Sequence, residues 1–130
     1  MELTAEETAF LHRIAAKWKR ENLREAQAMS LRIARRRETA WKVIDSLTAE
    51  FQRRDEHLMR VVLFGSLARD ELLNDRFDID LAVESSCCSD LLGITMDHDF
   101  PVDLLDLTCA GSHIMRRIEI EGKELYRAEC

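Results

Sequence analysis

The first glycine in this 130-residue chain is Gly65, and its only proline is Pro101. Glycine's loose backbone and proline's missing N–H are the commonest helix breakers, so so long a run without either points to helix. Thr4 followed by Glu7 has the form of a capping box, with hydroxyl and carboxylate each serving a free backbone donor, and starts a helix near Ala5. Leu11, Ile14, Ala15 and Trp18 then recur at helical spacing. The stripe drifts through KRENLREAQ, resumes at Ala26, Met29 and Ile33, and passes Arg35-Arg36-Arg37 before Ala40, Ile44, Leu47 and Phe51 form a second face. One long helix, or two with a soft junction near residues 35–40, fits this pattern. The triple arginine reads as a solvated face or a contact with an acidic partner, ahead of a nucleic-acid contact. Trp18 and Trp41 read as packing on the chain's own core or on another subunit.

After Phe51 the helical period gives way to short apolar runs. Arg60 to Phe64 reads as a buried strand, Ser66 to Leu73 as a short helix, and Asp78 to Val83 as a second strand. Ser89 to Met96 reads as a helix and Val102 to Leu107 as a third strand. Ser112 offers an N-cap for a helix ending near Glu121, where Gly122 stops it, and Glu124 to Tyr126 adds a short edge strand. The expected fold is α/β, a small mixed sheet flanked by helices, with residues 1–39 as a helical extension and residues 40–130 as the main domain.

Residues 1–60 carry a charge of +3 and residues 61–130 carry −9, for a net −6. An acidic half is a poor nucleic-acid surface, but carboxylates gathered at one point hold divalent cations that accept phosphates. No apolar window approaches the roughly 18 to 20 residues of a membrane span, and MELTAEETAF lacks the layout of a signal peptide, so a cytoplasmic protein is expected. Cys87, Cys88, Cys109 and Cys130 form no C-x-x-C pair and read as reduced thiols. His12, His57, His98 and His113 stand too far apart for a zinc motif, and Asp97-His98-Asp99 reads as a polar turn before a strand.

The acids that interrupt the apolar runs carry the chemistry. Residues two apart on a strand share a face, so Asp78 and Asp80 project together while Ile79 and Leu81 enter the opposite face. Two adjacent carboxylates repel unless a cation neutralises them, and hard oxygen donors favour magnesium. Asp103, inside PVDLLDL, is a third such acid and completes a candidate site for two metal ions, the arrangement suited to in-line phosphoryl or nucleotidyl displacement. Asp106 faces the other way and is assigned to capping the following turn. Gly65-Ser66, at a strand-to-helix junction, lets backbone and hydroxyl donors approach a phosphate, with the helix start adding positive potential.

Gly65-Ser66, then Asp78-Ile79-Asp80-Leu81, then Asp103, together with the ending HIMRRIEIEGKELYRAE, resemble the DNA polymerase beta-like nucleotidyltransferase superfamily, and most closely its minimal nucleotidyltransferase branch. The likeness covers roughly residues 40–130. It implies that Asp78 and Asp80 are magnesium ligands, that Asp103 is the third acid and helps activate the acceptor hydroxyl, and that Gly65-Ser66 holds a triphosphate, with Arg69 either a further phosphate contact or one half of a helix-surface ion pair. The family commonly has glycine where this chain has Asp70, serine where it has Phe77, and one residue fewer between the Gly-Ser and the D-x-D.

Many members of that branch act as antitoxins that transfer AMP from ATP to a tyrosine of a HEPN-type toxin. The resemblance therefore implies an enzyme using two Mg2+ ions and ATP, with a HEPN-type partner; separately, the apolar faces of the N-terminal helix lead to the expectation of an oligomer through that helix. A small-molecule adenylyltransferase of the aminoglycoside kind and a non-catalytic module that masks its partner are the alternatives.

Overall fold

In the computed structural model, which describes residues 2–129, α1 runs without interruption from Ala5 to Arg54. The capping box at its start is formed: Glu7 N donates to Thr4 Oγ1 at 3.1 Å, and Thr4 N to Glu7 Oε1 at 3.4 Å. No junction forms at residues 35–40, because nothing there prevents the i to i−4 ladder from continuing. The helix ends at Asp55, whose buried carboxylate accepts from Ser85 Oγ at 2.5 Å and from His57 N at 2.9 Å.

The other elements are β1 (Arg60–Phe64), α2 (Gly65–Arg69), β2 (Ile79–Glu84), α3 (Cys88–Met96), β3 (Val102–Asp106), α4 (Ser112–Glu121) and β4 (Lys123–Arg127). The four strands form one sheet in the order β3-β2-β1-β4, with β1 antiparallel to both β2 and β4 and β2 parallel to β3. This is the expected mixed sheet flanked by helices.

Alternation along the strands separates two apolar layers. On one face Val61, Leu63, Ile79, Leu81 and Val83 bury against Ala40, Ile44, Leu47 and Phe51 of α1 and Leu91 of α3. On the other, Val62 and Ala82 pack with Ile118 of α4 and Leu107. The second layer is smaller, so α4 covers only part of its face.

Three local details differ from expectation. The helix after Gly65 stops at Arg69, because Asp70 takes a left-handed conformation (φ 59°, ψ 37°) and turns the chain. The N-cap of α4 is Gly111, with Ser112 as the first helical residue. Gly122 ends α4 without a left-handed conformation; a Cβ there would overlap Ile118 O and Val62 Cγ1, so close packing is what demands glycine. Asp106 caps its turn as expected, accepting from Thr108 N at 2.9 Å and Thr108 Oγ1 at 2.7 Å. Cys87, Cys88 and Cys109 are free thiols, and Cys130 lies outside the described residues.

The three arginines do different work. Arg36 donates to Phe77 O through Nη2 at 2.6 Å and Nε at 3.1 Å, and its guanidinium lies 4.2 Å from the Phe100 ring centre and 5.1 Å from that of Phe77. Arg37 pairs with Asp70 at 2.6 Å. Arg35 is exposed.

Candidate active site

The register of the sheet brings two of the expected acids side by side. Phe64 of β1 faces Asp80 of β2, which faces Asp103 of β3. One step further along, Val62, Ala82 and Leu105 occupy the same face and are covered by α4. The acids stand where that cover ends. They border an open cleft of about 570 Å³, lined also by Gly65, Ser66, Arg69, Arg117 and Glu121.

Asp80 is half-buried, while Asp78 and Asp103 are exposed. Burial is the main cause that pushes the Asp80 carboxyl from 3.8 up to about 6; the charges of Asp103 and Asp78 and a hydrogen bond with Asp103 add to it, and Arg69 works in the opposite direction. Asp78 precedes β2 by one residue and does not line the cleft, although its charge reaches Asp80. Among the described residues, no three His, Cys, Asp or Glu side chains already converge as a metal-binding group. The donor chemistry nonetheless suits a hard divalent cation: Asp80 sits at a carboxylate cluster, where a cation would offset the burial cost of its charge and the repulsion that adds to it.

Gly65 closes the other side. It follows β1 as the first residue of α2, with φ +78°, and a Cβ built there would overlap the Asp80 carboxylate. Glycine is thus required twice, by backbone angle and by space. Ser66 follows at the start of a helix of only one turn, which makes local backbone and hydroxyl donors, rather than a long helix dipole, its resource for binding an anion.

Arg69 reaches the cleft, and two of its donors are engaged. Nη1 pairs with Glu121 at 3.0 Å and Nε with Glu71 at 3.1 Å, and these bonds, that to Glu121 foremost, hold its pKa above the ordinary value. Arg117 and Glu121 went unnoticed in the sequence. They lie four apart on α4, so one helix face carries both to the cleft wall, a spacing visible in the closing helix once that helix is known to cover the acids.

The departures from the family pattern have local explanations. Asp70 occupies the left-handed position that glycine usually fills, which aspartate tolerates better than most residues, and its carboxylate turns outward to Arg37. Phe77 is buried, tilted against Phe100 at 6.1 Å between ring centres, beneath Arg36.

Comparison with known proteins agrees with this geometry. One chain of a toxin–antitoxin complex crystallised with AMP-PNP superposes with a TM-score of 0.53 at 24% identity, covering 65% of this chain and 73% of that one. A chain from the complex of a tri-AMPylated HEPN toxin with its MNT antitoxin, from Shewanella oneidensis, gives 0.50 at 23% identity, covering 71% and 73%. A candidate nucleotidyltransferase from Sulfolobus solfataricus gives 0.54 at 16% identity, covering 74% and 87%. At these identities the likeness is one of fold. No curated protein matches the sequence. The model of the nucleotidyltransferase domain matches residues 44–123, more than half of the chain and all of the elements that build the cleft. The chain therefore belongs to the nucleotidyltransferase domain family.

Proposed function

We propose that this protein transfers AMP from ATP to a hydroxyl of a partner protein of the HEPN toxin class, and so acts as an antitoxin, with residues 40–130 as the catalytic unit. The observation that carries the chemistry is the pairing of Asp80 with Asp103 across β2 and β3, opposite a glycine that leaves room for the Asp80 carboxylate. Asp78, Asp80 and Asp103 would hold Mg2+, which when bound offsets negative charge on the triphosphate and on the reacting oxygens. Gly65 and Ser66 donate to the triphosphate from backbone and hydroxyl, while Arg69 and Arg117 line the same cleft with positive charge. The acceptor oxygen attacks the α-phosphorus, the bond from that phosphorus to the bridging oxygen breaks, and pyrophosphate departs. Asp103, exposed at the cleft, takes the hydroxyl proton.

A macromolecular acceptor suits this cleft better than a small one. The acids lie at an open mouth beside the edge strand β3, so a second protein can supply the missing wall. The toxin–antitoxin complexes of similar fold, one with AMP-PNP and one with an AMPylated HEPN toxin, support the same reading. Incubation with α-labelled ATP, Mg2+ and a HEPN-type partner should label the partner. Absence of label, or equal labelling by Asp80→Ala, would reject the proposal.

A further inference from the structure

The two edges of the sheet are built differently. β4 carries Lys123, Glu124 and Arg127, its pairing with β1 shifts register between Val61 and Val62, and Arg127 folds back on Glu124 at 2.7 and 2.9 Å. Edge charges, lysine above all, and irregular pairing are the usual means of keeping an edge strand from joining another chain. β3, at the opposite edge, has neither a basic residue nor a break in register, and its only charges are Asp103 and Asp106.

The register also shows which backbone groups of β3 are spare. Pro101 O accepts from Ile79 N at 3.0 Å, and Leu107 N donates to Val83 O at 2.8 Å. Alternate residues of a ladder turn their polar groups to the same side, so residues 101, 103, 105 and 107 face β2 while the N–H and C=O of Val102 and Leu104 face outward. Among the described residues, no turn, loop or side-chain hydrogen bond reaches those outward groups. The side chains alternate between the two faces of the sheet: Val102 and Leu104 pack against the core under α1, whereas Asp103 and Leu105 stand on the side of the cleft.

We propose that β3 is the docking strand for the acceptor: an extended segment of the partner protein adds to this edge through backbone hydrogen bonds and carries its hydroxyl residue on the face beside Asp103. This rests on the nucleotidyl-transfer reading above and adds how the acceptor is held. A strand laid along β3 puts every second side chain on the cleft face, with Cβ atoms about 5 Å from those of its neighbour. Backbone pairing thereby brings one acceptor side chain next to the acid that takes the proton. Charge selects the segment. β3 belongs to the half of the chain that carries −9, which favours a neutral or basic segment and disfavours a second copy, whose own edge would bring the same acids.

Hydrogen exchange measured by NMR on the full chain, with and without a HEPN-type protein as the probe, tests this. The amides of Val102 and Leu104 should exchange about tenfold more slowly in the complex, while those of Asp103 and Leu105, already turned to β2, change little. Val102→Pro deletes one outward donor at the first strand position, where proline fits, and should raise the KM for the partner about fivefold with the Kd for Mg-ATP unchanged. Label transfer to the partner while Val102 and Leu104 exchange as in the free chain overturns strand docking and leaves nucleotidyl transfer standing, as does a KM that Val102→Pro leaves unmoved. Equal slowing at all four amides overturns it too, and slowing that grows with protein concentration in the absence of the partner assigns the edge to a second copy instead. Alternating protection without label transfer sinks the transfer reading and keeps the docking strand; absence of both rejects the two together.

Discussion

The Asp80 carboxylate occupies the space that a side chain at residue 65 would need, so Gly65 and Asp80 are complementary across the β1–β2 pair. Gly65→Ala should therefore push the carboxylate aside and force a strained left-handed alanine. We expect nucleotidyl transfer to fall by about 100-fold or more, since about 1 Å of misplacement has that scale of effect, with a stability loss of about 1–3 kcal/mol. Labelled-ATP turnover and a urea melt measure the two separately.

Asp80 links the site to pH. Its folded pKa of about 6 lies above the ordinary 3.8, so the folded state holds the proton more tightly. Below about pH 4 both folded and unfolded chains carry it and nothing is lost. As pH rises towards 6 the folded state gives up that advantage, and above 6 the full cost of a clustered charge remains. Asp80→Asn should thus raise the melting temperature at pH 8 in metal-free buffer and leave it unchanged near pH 4. Because the group is only half-buried, solvent screening limits the gain to about 1 kcal/mol, a few degrees for a chain of this size. Addition of Mg2+ should narrow the gap by stabilising the wild type alone.

Glu121 competes with phosphate for Arg69. Glu121→Gln removes the carboxylate that holds Arg69 Nη1 and should lower the KM for ATP a few-fold. Arg117→Ala and Arg69→Ala should raise it, with kcat changed less in each case. Steady-state kinetics of label transfer at fixed partner concentration distinguish these outcomes.

Arg36 fastens α1 to the segment that leads into Asp78. Arg36→Ala removes two hydrogen bonds to Phe77 O and the cover over two aromatic rings, and should cost about 2–3 kcal/mol. Arg36→Lys should recover only part, since an ammonium lacks the planar fork. Thermal melts read the stability, and loss of turnover beyond the fraction unfolded would show that this anchor also positions Asp78.

Much of the fold was legible because its signals are local. The capping box at Thr4 and Glu7, the glycine- and proline-free run, and the alternation around Asp80 act within a few residues, and a single chain displays them directly. The acids were visible for the same reason: a carboxylate between buried neighbours is anomalous wherever it occurs.

What the sequence by itself determined was the identity of the elements and the pairing of acid with apolar face. Only the tertiary structure decided which acids meet. The parallel register of β2 and β3 accompanies burial of Ile79 and Leu81 against α1, and that register, not any spacing in the chain, places Asp103 beside Asp80, with Asp78 just ahead of β2 and near enough for its charge to act on Asp80. It also decided that Arg69 is already bound to Glu121, 52 residues away, and that Asp70 serves a left-handed turn. The stripe on α1 repeats the same lesson, because apolar residues recur at helical spacing in both the buried and the exposed halves. Burial depends on where the sheet ends, which is a property of the packed chain as a whole.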